Sequence, residues 1–212
     1  MDSKEIEKCF AKPEGGYAFA RWNRPIAPVV FGVDDAALPV LKGAIEAVAK
    51  LAGIEVVETD PELGVNHMTF FMKEWRELSE TKDMDRLLPD LDNLVSRLEE
   101  VDASQYRFFR YDDQGGIKAA FMFVRMTAEM EKLSAEAISL TNAIQSIVTW
   151  GPDAFSGGSP LAMNEESNLV VLKVEYADVI RASYDPVMPI AANDPSHALR
   201  LAARMPNRED DD

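Results

Sequence analysis

Between residues 28 and 59 three segments follow one another with almost nothing between them. Pro-Val-Val-Phe-Gly-Val (28–33) is a short apolar run with β-branched residues and reads as a strand. Asp34 and Asp35 supply carboxylates that can cap a helix. In that helix Leu41, Ala44, Ile45, Val48, Leu51 and Ala52 recur at spacings of three and four. Pro39 fits its first turn, and Gly53 stands where a left-handed terminal residue belongs. Ile-Glu-Val-Val-Glu-Thr (54–59) then reads as a second strand. The rest of the chain has to be built onto this β-α-β order.

Further elements follow the same logic. His-Met-Thr-Phe-Phe-Met (67–72) reads as a third strand and Lys73–Leu78 as a short helix. Residues 85–99 form an amphipathic helix with a stripe of Leu87, Leu88, Leu91, Leu94, Val95 and Leu98. The clearest hairpin joins Tyr-Arg-Phe-Phe-Arg-Tyr-Asp to Ile-Lys-Ala-Ala-Phe-Met-Phe-Val-Arg-Met through a loop holding Gly115-Gly116. A long helix is expected from Thr127, its N-cap, to about Thr149. Its buried stripe would be Met130, Leu133, Ala137, Leu140, Ile144 and Ile147, and Gly151-Pro152 would stop it. Residues 151–168 read as a long loop, and its 152–167 part is expected to be the most mobile internal segment and to lie next to the largest cleft. Residues 168–174 read as a strand, 176–184 as a helix, and Asp194-Pro195 as the start of a last helix reaching Met205. The expected organisation is an irregular leader over 1–24, pinned by Phe19 and Trp22, one domain over 25–205, and an acidic tail over 206–212. The fold class is α+β: a mixed, mostly antiparallel sheet carrying helices on one face.

Composition narrows the function classes. The chain has 22 Lys and Arg against 37 Asp and Glu, a net charge of −15. That balance argues against nucleic acid and against an anionic membrane as partner. The single cysteine, Cys9, excludes an internal disulfide, a cysteine-rich zinc site and a CxxC redox pair. No apolar run is long enough to span a bilayer and no apolar signal core is visible, so the expected compartment is the cytoplasm unless a signal was removed.

Few residues carry chemistry. The glycine pairs 15-16, 115-116 and 157-158 lack the surroundings of a phosphate loop and read as turns. Ser156 and Ser159 flank Gly157-Gly158 with no base beside them. His67, at a strand start with no second ligand at a useful spacing, reads as a satisfied structural histidine. His197 reads as solvent-facing in a first helical turn. Asp34-Asp35 and Asp112-Asp113 read as caps and turns before they read as acid–base pairs. Cys9 reads as an incidental thiol. The aromatic and basic run at 106–111 reads as a sheet strand rather than a base-stacking platform, because alternation leaves neither face uniformly basic.

The strongest specific signal is a succession: the strand Gly116–Met126, a long helix stopping at a glycine, a loop, and then Ala-Ser-Tyr-Asp-Pro-Val-Met-Pro (182–189). This resembles an uncharacterised bacterial family related to zincin metalloproteases. The resemblance places that family's metal-binding helix motif on Thr141, Asn142, Ala143, Ile144 and Gln145, and its turn on Tyr184, Asp185, Pro186 and Met188. Thr141 and Gln145 share a helix face. A hydroxyl and an amide are poor zinc ligands, and an amide at Asn142 cannot act as general base. The resemblance therefore implies a zincin-like fold without its chemistry: no metal, no cofactor, and a peptide or protein partner along an edge strand. Its candidate cleft is Thr141, Asn142, Gln145, Tyr184 and Met188. The alternative is a hydrolase with a non-canonical site at Ser156 or Ser159.

Overall fold

The computed structural model describes residues 1–206; the expected acidic tail, from 207 onward, lies outside the described residues. In chain order the elements are α1 (Ser3–Cys9), β1 (Phe19–Ala20), β2 (Pro28–Phe31), α2 (Ala37–Ala52), β3 (His67–Met72), α3 (Glu77–Glu80), α4 (Met84–Leu87), α5 (Leu91–Glu100), β4 (Gln105–Tyr111) and β5 (Ile117–Arg125). A 3-10 turn (Met130–Lys132) then precedes α6 (Ala135–Ile147), β6 (Leu161–Asn164), β7 (Leu169–Leu172), α7 (Val174–Ser183), β8 (Ala191–Ala192) and α8 (Ser196–Ala202).

The central sheet has the order β2-β3-β5-β4. Its β2–β3 and β3–β5 ladders are parallel and its β4–β5 ladder is antiparallel, so the sheet is mixed, as expected. The expected antiparallel majority does not hold in this sheet; the other antiparallel ladders, β1–β8 and β6–β7, are separate two-stranded ribbons. Helices cover both faces rather than one. On one side lies a core with α2, α6 and α7 residues such as Ile45, Ile144 and Ile180. On the other, Trp75, Leu78, Leu91 and Leu98 from the α3–α5 region close over Ala119, Phe121 and Phe123. The reason is visible in β5: its residues from Ile117 to Val124 are nearly all apolar, so each pleat face needs cover. Phe31, Phe70, Phe123 and Tyr106, in register across all four strands, pack ring against ring on the α3–α5 side.

Several expected elements change. The 54–59 strand shrinks to one parallel bridge, Ile26 to Val56. The 85–99 helix is split into α4 and α5, because Pro89 forces Leu88 out of helical geometry (φ −112°, ψ 105°). The long helix begins at Ser134, whose hydroxyl accepts from the Ala137 N–H; Thr127 caps the preceding 3-10 turn instead. Of its expected stripe Ile144 and Ile147 are buried, whereas Leu133 is exposed. The second half of the 151–168 loop is β6 and a turn that pairs it with β7, made by Asn164, whose carboxamide oxygen accepts from Glu166 and Ser167 N–H. The leader is not irregular. Asp2 closes a capping box on α1, and Ile6, Phe10, Tyr17, Phe19 and Trp22 are core residues.

Candidate functional site

The site grows from β4. This strand stands at the end of the sheet order, and its outer edge pairs with no strand among the described residues. Alternation sends Tyr106 and Phe108 into the α3–α5 core and Phe109 to the α6 side. Arg107 is also on the α6 side, where its guanidinium Nη1 and Nη2 donate to the carbonyls of Gln145 (3.5 Å) and Trp150 (3.1 Å). A groove of about 440 Å³ runs beside this edge, between Gln105, Tyr106 and Arg107 on the strand and Gln145, Pro152, Phe155 and Ser156 opposite. Tyr106 turns its ring to the other face, 6.0 Å from Phe123, so it offers the groove main-chain atoms. Phe155 is braced by Trp150 (5.3 Å) and Tyr176 (5.4 Å), which holds the groove's far wall.

Among the described residues Arg107 is the one charged residue lining this groove. Burial pulls its guanidinium below the usual range, and the Tyr111 phenol acts in the opposite direction. No carboxylate pairs with it among the described residues.

The residues expected in the cleft do not all meet there. Gln145 does, beside Pro152, Phe155 and Ser156, but this groove is not the largest hollow: one of about 490 Å³ at Leu63, Arg110 and Phe121 lies on the α3–α5 side, away from the 152–167 loop expected to border the largest cleft. Thr141 is half-buried one turn earlier on α6 and is not part of this lining. Asn142 is buried between helix and sheet; its Oδ1 accepts from the Thr69 hydroxyl (3.3 Å) and its Nδ2 has no partner. Tyr184 approaches α6 from the body of the molecule. Its hydroxyl donates to the Ile147 carbonyl (2.6 Å) and accepts from the Trp22 N–H (3.2 Å), and burial pushes the phenol far above its ordinary range. Met188 is buried in the same core, and its carbonyl accepts from Arg21. Tyr184 thus supports the end of α6, and neither Tyr184 nor Met188 lines the groove.

Ser156 donates to the Asp153 carbonyl (2.8 Å), and Ser159 accepts from the Leu161 N–H (3.1 Å), so both are turn residues. Both histidines are engaged elsewhere. His67 is buried with Nε2 2.9 Å from the Ser146 hydroxyl, which itself donates to the Ala143 carbonyl. Ser146 therefore accepts from His67 Nε2–H, and Nδ1 is left without a partner. Burial holds this imidazole down at about 4. His197 is not solvent-facing: it is buried, with Nδ1 2.7 Å from the Tyr17 hydroxyl. Asp34 and Asp112 act as cap and turn residues, accepting from the N–H of Ala37 and from those of Gln114 and Gly116. Burial, with the Glu5 charge second, raises the Cys9 thiol to about 11.

Sequence reasoning missed Arg107 as a site residue. The aromatic interleaving of β4 marked a sheet strand, and nothing local tells which arginine turns to the α6 side and which, like Arg110, reaches over Phe121 on the other face. Among the described residues no group of three His, Cys, Asp or Glu is placed to hold a metal ion. Comparison with protein-family models, with curated proteins and with solved structures finds no match to the chain.

Proposed function

We propose that this chain is a non-catalytic binding domain on a degenerate zincin-like fold, and that it holds an extended peptide along the outer edge of β4. The observation that carries the reading is the unpaired seven-residue edge running beside the groove at Gln145. An exposed strand edge is a row of unpaired N–H and C=O groups, which an extended peptide completes by main-chain hydrogen bonds, while adjacent pockets select side chains. The placement of Asn142 supports the absence of catalysis. At the position of the resembled family's general base stands an amide buried in the helix–sheet interface, too weakly basic to take a proton from water. The hydrolase alternative needs a base at Ser156 or Ser159, and both histidines are buried against other partners. A peptide also fits the charge of the chain better than nucleic acid does.

The test is amide hydrogen exchange on the whole chain with a panel of capped, β-forming heptapeptides, each followed by mass spectrometry of the peptide. The expected result is slowed exchange over 105–111 with the peptides intact. Slowing confined to another surface, no slowing with any peptide, or a cleaved peptide would overturn the reading.

A further inference from the structure

A cation inside a protein is ordinarily matched by an anion, because an unpaired buried charge is costly. Arg107 breaks that pattern. Its side chain is half-buried, among the described residues its hydrogen bonds go to two neutral carbonyls, and it stands on the wall of an open groove. Two of its five N–H donors are spoken for by those contacts, and a guanidinium takes carboxylates in a two-pronged fork. The groove supplies further donors suited to a carboxylate or a main chain: the Gln105 and Gln145 carboxamides.

We infer that the groove beside β4 is a carboxylate-binding site built on Arg107, and that its occupant is an Asp or Glu side chain of an extended peptide paired with the strand. The peptide part rests on the edge-docking reading above; the carboxylate site does not. Strand geometry selects the side chain over a chain terminus. A residue directly opposite Arg107 on an added strand has its Cβ about 4.5–5.5 Å away and on the same face, which is the ordinary cross-strand distance for an acid–arginine pair. The chain's net charge of −15 opposes polyacidic ligands, so the fit is to a segment with one acid among β-formers. The contacts to Gln145 and Trp150 orient the fork and leave the charge unneutralised.

Two probes separate the site from the edge. The first is sodium acetate, titrated against sodium chloride at matched ionic strength, while the Arg107 Nε–H resonance is followed by NMR. The second is a pair of capped peptides, acetyl-Thr-Val-Thr-Glu-Val-Thr-Val-amide and its Gln counterpart, together with the Gln peptide bearing a free C-terminus. The expected results are a saturable acetate shift at Arg107, and binding of the Glu peptide roughly tenfold or more tighter than the Gln peptide, as a charge-assisted fork requires. That preference is lost in Arg107→Gln and partly kept in Arg107→Lys. Should Arg107→Gln fail to fold, the acetate titration and the two capped peptides decide on the native chain alone. No acetate response together with equal binding of the capped peptides overturns the carboxylate site and leaves the edge reading standing. A saturable acetate response with no peptide binding upholds the site and overturns the edge reading. The free-terminus Gln peptide matching the Glu peptide overturns the assignment to a side chain.

Discussion

Single residues decide how α6 sits on the sheet. Two polar pairs, His67 with Ser146 and Thr69 with Asn142, cross the interface one helical turn and two strand positions apart, so both spacings are satisfied together. Around them the contact is apolar, and Ile144 is fully buried. Ile144→Ala is expected to cost about 2–5 kcal/mol in urea unfolding, through lost transfer energy and a residual cavity. A loss under about 1 kcal/mol would mean that the site collapses around the gap. The His67 imidazole also makes stability depend on pH. It is neutral in the fold down to about 4, whereas an unfolded histidine takes its proton at 6.5. The unfolded state therefore binds more protons in that window. Stability is full above about pH 6.5 and falls toward pH 4, by at most ~1.4 kcal/mol per pH unit from this residue. His197, held at about 4 by burial and then by the Arg200 charge, adds a slope of the same sign. His67→Gln should remove the first share and leave the second, read from urea midpoints at pH 4.5, 5.5 and 7.

At the scale of elements, ends were harder to place than existence. The β4–β5 hairpin was legible because its two runs and its glycine loop are consecutive, and Asp112 fastens the turn with two N–H bonds. The start of α6 was not. Thr127 and Ser134 are both N-cap residue types, and only the path of the chain after β5 makes the six residues between them a 3-10 turn and a connector. Ser134→Ala is expected to lower stability by about 0.5–2 kcal/mol. Thr127→Ala removes only the cap of the 3-10 turn and should cost less than Ser134→Ala in the same thermal-melt series. A larger effect at Thr127 would place the helix start where the sequence alone suggested it. Of the β6–β7 hairpin only β7 was read, within 168–174; β6 was missed because its four residues are too few for alternation to show.

Across the whole molecule, the N-terminal segment is a structural member of the core. Residues 20–22 run between the start of β5 and the end of α6: the Thr149 N–H donates to the Ala20 carbonyl, the Ile117 N–H to the Arg21 carbonyl, and the Trp22 indole N–H to the Ser146 carbonyl. Gly151 lies so close to this segment that an added Cβ would stand 2.4 Å from the Ala11 carbonyl oxygen. Removing residues 1–22 takes Ile6, Phe10, Phe19 and Trp22 from one continuous core. The expected outcome is loss of a cooperative melt and rapid proteolysis; a truncated chain that still melts cooperatively would show that the segment is only docked. Gly151→Ala should act in the same direction and more weakly, because the backbone it meets has to shift. Among the described residues no helix is long and apolar enough to cross a membrane.

Periodicity and turn chemistry are local, and what they determine was readable from the chain alone. They placed α2, β3, the β4–β5 hairpin, α7 and the mixed α+β character, together with the capping of Asp34 and the turn at Asp112. Of the cleft, the meeting of Gln145 with the 152–156 segment was legible for the same reason, since six residues hold the helix end and the turn together. What only the tertiary structure decided depends on which surfaces meet. Leu41, Leu91 and Ile144 are equally apolar in the sequence, yet the first and third lie on one side of the sheet and the second on the other. Whether 54–59 pairs as a strand depends on its neighbour at Ile26 offering more than one bridge. Whether an arginine on an alternating strand opens onto solvent, an aromatic ring or an unfilled groove depends on α6, which lies about thirty residues further along and comes back to that edge only in the fold. Burial and desolvation follow from such meetings, and no local pattern encodes them.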